Sequence, residues 1–303
     1  YDPTRTTTLR KNFASQMRKR FRSLRGAIRE AIDEKDAFGL KRDAPSALSK
    51  NEITAQQGYI NSPSKYAWNF PRNSDKIEAF MDWLEEQVER GVLEVRTAER
   101  IGRSIEKAWT NMYIDSAYQQ GIRRANQELD RAGYDVPDIE TQGGIQAVFN
   151  QPVHADRVGL LYTRTYSNLK GITSEMETQL SRILARGMAQ GKNPRRIAKE
   201  LTRTIKGPVG DLALTDELGR FIPAERRAEI LARTEVIRAH HAATMQTYEN
   251  WQARGIKIKA EWQTAGDNRV CPECAALQGQ IFSLEEMRGA IPLHPQCRCV
   301  ALP

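Results

Sequence analysis

The sequence predicts a mainly α-helical protein, an elongated helical body that ends in a small α+β module. Apolar residues recur at helical spacing through most of residues 1–254. After Gly255 the pattern changes to an alternation with period two, which is typical of a half-buried strand. All four cysteines fall in the last 33 residues. The module at residues 255–303 therefore differs from the body in chemistry as well as in pattern.

Composition and charge narrow the classes of protein. The chain has 303 residues, with 46 Lys and Arg, 38 Asp and Glu, and 40% hydrophobic residues, which is typical of a soluble globular protein. No apolar run approaches the length of a transmembrane helix, and the first residues show no basic-then-apolar signal peptide. We therefore expect the chain to fold in a reducing cytoplasm.

The excess of positive charge lies at the N-terminus. Residues 1–33 hold nine basic and three acidic residues, a net charge of +6 out of +8 for the whole chain. Spacings of three and four place six apolar residues on one helical stripe: Phe13, Met17, Phe21, Leu24, Ile28 and Ile32. The basic residues on the other faces include Lys11, Arg18, Lys19, Arg22, Arg25 and Arg29. The pattern predicts a basic amphipathic helical arm over residues 1–33.

Two interpretations of this arm stay open. In the first it is a surface helix docked on a core, and its basic side chains are solvated. In the second the same side chains also contact nucleic-acid phosphates or an acidic protein surface. Membrane contact is a third interpretation, which nothing else in the sequence supports.

A linker and then a series of helices follow the arm. Residues 34–74 are polar and rich in proline, which predicts a linker or an extended crossover. The helical body, residues 75–254, begins at Asp75, which is expected to form a capping box with Glu78 in a helix that stops at Gly91. The other predicted helices cover about 97–131, 153–170 and 172–190, a segment from Pro194 with Asn193 as its N-cap, and Pro223 to about Arg254. Residues 206–222 are predicted to be a loop.

No catalytic residue is predicted. The sequence has no phosphate-binding glycine-rich loop, nucleophile elbow or His-Glu-x-x-His motif. His154, near a predicted helix start, is expected at the surface. Charged and histidine residues crowd the last long helix: Arg233, Glu235, Arg238, His240 and His241. We interpret this group as ion pairs and packing against the C-terminal strands, which are expected at 256–262, 280–284 and 300–302.

The C-terminal module contains five candidate metal ligands within 29 residues: Cys271, Cys274, His294, Cys297 and Cys299. A Cys-x-x-Cys pair on a tight turn directs both sulfurs to one ion. Cys297 and Cys299 project to the same side of an extended segment because side chains alternate. Zinc takes four nitrogen and sulfur ligands in structural sites. The spacing therefore predicts a structural Zn²⁺ that staples a module too small to bury much core.

The choice of ligands stays open from the sequence. The preferred set is the four cysteines. The next set is Cys271, Cys274, His294 and either Cys297 or Cys299. The competing interpretations are two disulfides, redox chemistry at Cys271 and Cys274, a catalytic metal with an open position, and free buried thiols.

Two charged residues, Asp267 and Arg269, flank the first cysteine pair and are expected to brace the zinc turn. The surrounding segment, residues 260–303, contains three Arg, no Lys and five Asp and Glu, a net charge of −2. Nucleic-acid binding requires neutralisation of phosphates. We therefore expect this module to be a structural staple and not a DNA-binding unit.

Four motifs of the C-terminal region resemble one protein family. They are Ala232-Arg-Thr-Glu-Val236, Trp262-Gln-Thr-Ala-Gly-Asp267-x-Arg-Val-Cys-Pro-x-Cys274, Leu277-x-Gly279-x-x-Phe282 and Pro292-Leu-His-Pro-x-Cys-Arg-Cys299. In order and spacing, residues 230–303 resemble the Mu F-like minor head, or head morphogenesis, proteins of tailed bacteriophages. The helical region at 95–205 resembles the weaker upstream pattern of that family, whereas residues 1–90 carry no signature of it.

The resemblance implies a low-copy structural protein of the virion, present in several copies per particle, and it does not imply catalysis. It implies a role in head assembly, with the portal protein, the major capsid protein or both as partners. The expected location is the head interior or the portal region, and the host cytoplasm during assembly. The arm of residues 1–33 would then lie against packaged DNA or an acidic surface of the capsid or portal.

A second function from another class is a metal-dependent nuclease or a toxin-like nucleotide-modifying enzyme carried by a phage. Its site would combine the Arg/His helix with a metal at His294. Turnover would then be lost on His294→Ala or Glu235→Ala. A free DNA-binding regulator is disfavoured, because a base-reading motif is missing and the cysteine module is acidic.

Overall fold

The computed structural model describes residues 2–40, 72–100, 103–207 and 222–303. Most of the predicted linker and most of the predicted loop at 206–222 lie outside these residues. The described chain is mostly α-helical with a few short strands, which confirms the predicted fold class. None of its helices is both long and apolar enough to span a bilayer.

The helices are α1 (Thr7–Arg29), α2 (Asn73–Gly91), α3 (Asn111–Arg131), α4 (Gly144–Phe149), α5 (Pro152–Ala189), α6 (Pro194–Lys206), α7 (Ala224–Gln252), α8 (Pro272–Leu277) and α9 (Leu284–Met287). A π-helical turn, Glu30–Glu34, follows α1 directly. The strands are β1 (Val95–Arg100), β2 (Arg103–Ala108), β3 (Ala260–Gln263), β4 (Ile281–Phe282) and β5 (Val300–Leu302). Strands β1 and β2 pair with each other, and β3 lies between β4 and β5, antiparallel to both.

The chain forms two compact units, each built from segments that are distant in sequence. Unit 1 comprises Tyr1–Ser15, Lys107–Asn168 and Glu229–Pro303, and unit 2 comprises Gln16–Glu106 and Leu169–Ala228. Helices α1, α5 and α7 therefore each contribute residues to both units. The domain boundaries predicted after residues 33, 74 and 254 remain predictions.

The apolar stripe predicted for α1 is buried. Its six residues are each at most 3% exposed: Phe13, Met17, Phe21, Leu24, Ile28 and Ile32. In unit 1, the ring of Phe13 stacks on Tyr113 with 4.4 Å between centroids and lies edge-on to Trp109 at 5.6 Å. The helix is thus docked through its apolar side, which fits both the first and the second interpretation of the arm.

The single long helix predicted over 97–131 is wrong. Strands β1 and β2 occupy residues 95–100 and 103–108, and α3 begins only at Asn111. The prediction follows the helical spacing of Ile101, Ile105 and Ala108 in the sequence. It gives too little weight to Gly102, a residue type that favours turns.

Two other helix boundaries differ from the prediction. The helices predicted over 153–170 and 172–190 form one 38-residue helix, α5, which continues through Gly171 and ends at Ala189. A glycine inside a helix costs only about 1 kcal/mol, which the burial of Leu169 and Met176 on either side offsets. Helix α2 begins at Asn73, and its N-cap makes no side-chain hydrogen bond. The predicted capping box of Asp75 and Glu78 is therefore wrong.

The helix restart at Asn193 is confirmed. The side-chain oxygen of Asn193 accepts a hydrogen bond from the backbone N–H of Arg195 at 2.9 Å, with Pro194 at the first helical position. In the C-terminal module β5 has the predicted bounds, whereas β3 is shorter than predicted and begins at Ala260. Residues 256–259 therefore alternate in polarity without being part of the strand.

Candidate metal centre

An apolar core in unit 1 holds the C-terminal module. Trp262 of β3 is buried at 2% exposure and lies near Phe282 of β4, 6.4 Å between centroids. The same core includes residues of α3 and α7 as well as α9: Ala125, Leu129, Ile237, Met245, Tyr248, Trp251, Leu284 and Met287. The cysteine-bearing segments are thus built on a scaffold that includes the last long helix, as the sequence predicted.

The first cysteine pair lies at the start of α8. Cys271 is the N-cap, and its sulfur accepts a hydrogen bond from the backbone N–H of Cys274 at 3.3 Å. Pro272 occupies the first helical position, where its missing N–H has no cost. This cap orients the sulfur of Cys271 toward the same side as that of Cys274.

The second ligand segment is a tight turn anchored to α7. The backbone N–H of Cys297 donates to the carbonyl of His294 at 3.1 Å, and Gln296 has a positive φ of 64°. Gln296 donates its backbone N–H to the hydroxyl of Thr234 at 3.0 Å and accepts from the guanidinium of Arg233 at 3.2 Å. Two residues of α7 therefore fix this turn in place.

The five predicted ligands form two overlapping groups. The ligand atoms of Cys271, Cys274 and His294 lie within 4.8 Å of one another, and so do those of Cys274, Cys297 and Cys299. His294 Nε2 is 3.2 Å from the sulfur of Cys271 and 3.2 Å from that of Cys274. The sulfurs of Cys274 and Cys297 are 3.9 Å apart. Ligands of a tetrahedral zinc lie roughly 3.5–3.8 Å from each other. The three separations lie within about 0.3 Å of that range, so small shifts would let these side chains hold a metal ion.

The tautomer of His294 also fits metal binding. Its Nδ1 is 2.9 Å from the carbonyl oxygen of Pro295. Because a carbonyl can only accept a hydrogen bond, Nδ1 carries the proton. Nε2 therefore presents its lone pair to the sulfurs of Cys271 and Cys274, which is the usual arrangement of a zinc-ligating histidine.

The cysteine thiols differ in pKa. All four cysteines are free thiols or thiolates. Hydrogen bonding with Cys299 lowers the pKa of Cys297 to about 5, while the same contact holds the pKa of the Cys299 thiol far above its ordinary range. Burial raises the pKa of Cys274 to about 12. A divalent cation would displace these protons, which is how metal binding couples to thiol ionisation.

A carboxylate clamp lies next to the cysteines. Asp267 accepts hydrogen bonds from both terminal nitrogens of Arg298, at 2.7 and 2.5 Å, and from Arg269 at 3.0 Å. These bonds hold the pKa of Asp267 below its usual range, and the bonds from Arg298 have the largest effect. Asp267 and Arg269 thus act on the backbone around Cys297 and Cys299 through Arg298. Sequence reasoning missed Arg298, although alternation in Cys-Arg-Cys points it away from the two sulfurs.

The charged and histidine residues of α7 contact neighbouring helices in unit 1. Glu235, 2% exposed, lies 3.2 Å from Arg238 and 3.6 Å from Arg164. His241 donates through Nε2 to the carbonyl of Met287 at 3.0 Å, and burial lowers its pKa to about 4. None of these residues belongs to either group of metal ligands found in the described chain.

His154 is not at the surface, and that prediction is wrong. It is 1% exposed, and its Nδ1 lies 3.1 Å from the hydroxyl of Tyr118. Burial lowers the pKa of His154 to about 4. The position after Pro152 suggested an exposed helix start, but the first turn of α5 packs on α3, which the sequence pattern does not reveal.

The basic residues predicted to contact nucleic acid or an acidic partner occupy different environments. Lys11, Lys19 and Arg22 are exposed, and Arg18 is half-buried. Two others form ion pairs within unit 2. Arg25 contacts Glu225 at 3.2 Å, and Arg29 contacts Glu34 at 3.7 Å.

Residues 178–302 match a family described as Phage Mu protein F like protein. The C-terminal region is phage Mu protein F-like. The match confirms the resemblance, and it extends from the second half of α5 through α6 and α7 to β5. This Mu F-like region indicates a phage head-related protein of the virion. Searches of curated proteins and of solved structures give no match.

Proposed function

We propose that this Mu F-like protein is a structural minor head protein, associated with the portal or capsid, and not an enzyme. One observation supports this most directly: the family motifs meet in one braced cysteine–histidine centre. The α7 motif supplies Thr234, which anchors Gln296. The middle motif supplies Asp267, which clamps Arg298 between two cysteines. These residues serve to hold a loop, which is the task of a structural site.

The metal in this proposal is Zn²⁺ held by Cys271, Cys274, His294 and Cys297. The separations of 3.2 Å from His294 Nε2 to two sulfurs favour a set with His294 over the four cysteines. Cys297, whose sulfur is 3.9 Å from that of Cys274, would supply the fourth ligand. A bound zinc would supply a cross-link between the α8 turn and the 294–297 turn. Four protein ligands leave no open position for a substrate or a water.

The partners in this proposal are the portal protein, the major capsid protein or both. The exposed basic residues of α1, Lys11, Lys19 and Arg22, would face packaged DNA or an acidic partner surface. The protein would be present in several copies per particle, in the head interior or portal region.

Turnover assays on the purified protein separate the structural proposal from the enzyme alternative. We expect no metal-dependent cleavage of DNA or RNA and no modification of nucleotides. Cys271→Ser should instead produce a folding defect in the C-terminal module. Turnover that is lost on His294→Ala or Glu235→Ala, in variants that remain folded, would contradict the structural proposal.

Particle incorporation tests the role of α1. We expect Lys19→Gln with Arg22→Gln to reduce the amount of this chain in purified heads. Arg25 is left unchanged, because its ion pair with Glu225 contributes to folding of unit 2. Unchanged incorporation and unchanged DNA contact would remove α1 from the proposal.

A further inference from the structure

A helix–turn–helix corner in unit 2 joins α5 to α6. Four residues, 190–193, separate the helices, and Gly191 adopts a positive φ of 61°. The helices approach closely at the corner, since a Cβ on Gly187 would lie 2.9 Å from Cγ1 of Ile197. A short glycine-containing turn between two packed helices is the arrangement of helix–turn–helix DNA-binding motifs.

The second helix of this corner, α6, has one apolar and one basic side. Its inner residues are buried: Pro194, Ile197, Ala198, Leu201, Thr204 and Ile205. Its basic residues are all exposed: Arg195, Arg196, Lys199, Arg203 and Lys206. At 100° per residue these five basic residues fall within an arc of about 100° and span about 16 Å of helix.

Intramolecular ion pairs compensate little of this charge. Arg195 is 4.0 Å from Asp33, and Arg196 is 3.6 Å from Glu200, yet the two Arg side chains stay 85% and 71% exposed. Exposed pairs of this kind contribute little energy. No ion pair recorded among the described residues involves Lys199, Arg203 or Lys206.

Helix α1 has fewer exposed basic side chains on one face than α6, and is therefore a weaker candidate for binding an anion. Three of its arginines already contact acidic residues of unit 2: Arg20 contacts Glu94, Arg25 contacts Glu225 and Arg29 contacts Glu34. The basic side of α6 therefore holds the denser group of exposed cations on a single helix face.

We propose that the α5–α6 corner binds duplex DNA without sequence preference, through phosphate contacts of the basic side of α6. The corner presents its second helix, as DNA-binding helix–turn–helix motifs do, and Lys and Arg gain affinity by releasing counterions from phosphates. This geometry favours a duplex over an acidic protein surface. The inference deepens the proposed head function by naming a DNA-contacting surface, and binding by the purified protein tests it separately from particle incorporation.

The test measures binding of the purified full chain to a fluorescent 20-base-pair duplex of arbitrary sequence at several salt concentrations. Neutralising four to five phosphates predicts a slope of log affinity against log salt of about −4. Lys199→Gln with Arg203→Gln should lower affinity at 50 mM salt at least about tenfold and make the slope shallower by about 2. The matched control is Lys257→Gln with Lys259→Gln, which removes the same charge from exposed positions of unit 1.

Three results would overturn the proposal. One is wild-type protein that does not bind duplex DNA at low salt. Another is an equal loss of affinity in the control variant, which would indicate an effect of net charge alone. The third is an α6 variant that binds DNA like wild type but is poorly incorporated into heads, because that face would then bind an acidic protein. An α6 variant that no longer binds DNA but is incorporated normally supports DNA binding by the corner. It would show that this binding is not needed for incorporation into heads.

Discussion

At the residue scale, the position of His294 distinguishes the two candidate sets of metal ligands. The sequence left five candidates, and alternation along Cys297-Arg-Cys299 favoured the four cysteines. In the structure His294 Nε2 lies 3.2 Å from each of the first two sulfurs, and its proton is held on Nδ1 by a backbone carbonyl. Cys297 and Cys299 both lie in the other group of ligand atoms, which shares only Cys274 with the first. The proposed set takes Cys297 as the fourth ligand because its sulfur lies 3.9 Å from that of Cys274.

Substituting single ligands should therefore separate His294 from Cys299. We expect His294→Ala to weaken zinc affinity by roughly 100-fold or more, because four ligands share a binding free energy of about 10–16 kcal/mol. Cys299→Ser should retain near wild-type affinity. Competition with a chromophoric chelator measures both variants. The reverse order of affinities would establish the four-cysteine set instead.

The buried histidine His154 makes stability depend on pH. Its pKa falls from an ordinary value near 6.5 to about 4 on folding, through burial and then the charge of Arg157. Between these two values the unfolded chain binds a proton that the folded chain does not. Stability is therefore fully present above pH 6.5 and is lost as the pH falls toward 4, by about 1.4 kcal/mol per pH unit.

The substitution His154→Gln should flatten this dependence. Urea unfolding at several pH values would show a slope of unfolding free energy against pH that is smaller by about one proton between pH 6.5 and 4. Wild type and variant carry the same metal centre, so proton uptake by the zinc ligands cancels in the comparison. An unchanged slope would mean that His154 titrates equally in both states.

At the scale of elements, the sequence predicted those features that depend on residues close together in the chain. Asn193-Pro194 fixes a helix start because a side-chain cap and a preset φ act within three residues. The alternation at Val300–Leu302 and the cysteine spacing are equally local. The β1–β2 pair was missed because Ile101 and Ile105 fit a helical stripe, and pairing between strands is not written in that spacing.

The contacts that brace the metal centre could not be predicted, because they join distant segments. Thr234 and Gln296 are 62 residues apart, and Asp267 and Arg298 are 31 apart. The sequence singled out the motifs that contain these residues. Which member of each motif touches which other depends on how α7 packs against the module.

Losing the α7 anchor should loosen the ligand turn. Thr234→Val leaves the backbone N–H of Gln296 without its acceptor, which costs about 1–3 kcal/mol. Because this bond positions the turn between His294 and Cys297, we also expect zinc affinity to fall by roughly tenfold or more. Calorimetry and chelator competition measure the two effects.

A matched control is Thr244→Val. The hydroxyl of Thr244 donates within its own helix, to the carbonyl of His240 at 3.0 Å. The substitution should leave zinc affinity unchanged. Equal effects of the two substitutions on zinc affinity would show that α7 does not position the ligands through Thr234.

The N-cap of α6 offers a test of the second helix of the corner. Asn193→Ala should lower the free energy of unfolding by about 1 kcal/mol, and Asn193→Asp should restore most of it because aspartate also caps. Denaturant titration measures both. If the alanine and aspartate variants were equally stable, the hydrogen bond from the N–H of Arg195 would not support the helix.

At the scale of the whole molecule, the proposed function assigns the Mu F-like region a structural role. Its motifs fix the turn at 294–297, hold Arg298 and bring the candidate ligands together. Outside these motifs, α6 exposes its basic side. Residues 1–177 lie outside the family match, although their first helix packs into the same fold. Under the proposed function the protein would act through its surfaces, and a bound zinc would cross-link the C-terminal module.

The most direct test of the head function is a count of this chain in purified phage particles. Quantitative mass spectrometry would compare it with the portal and major capsid proteins of the same particles and with infected-cell lysate. A minor head protein is expected at a few to a few tens of copies per particle, comparable to the portal protein. Absence from both procapsids and mature heads, with abundant free protein in the lysate, would contradict the head function and bring the enzyme alternative forward.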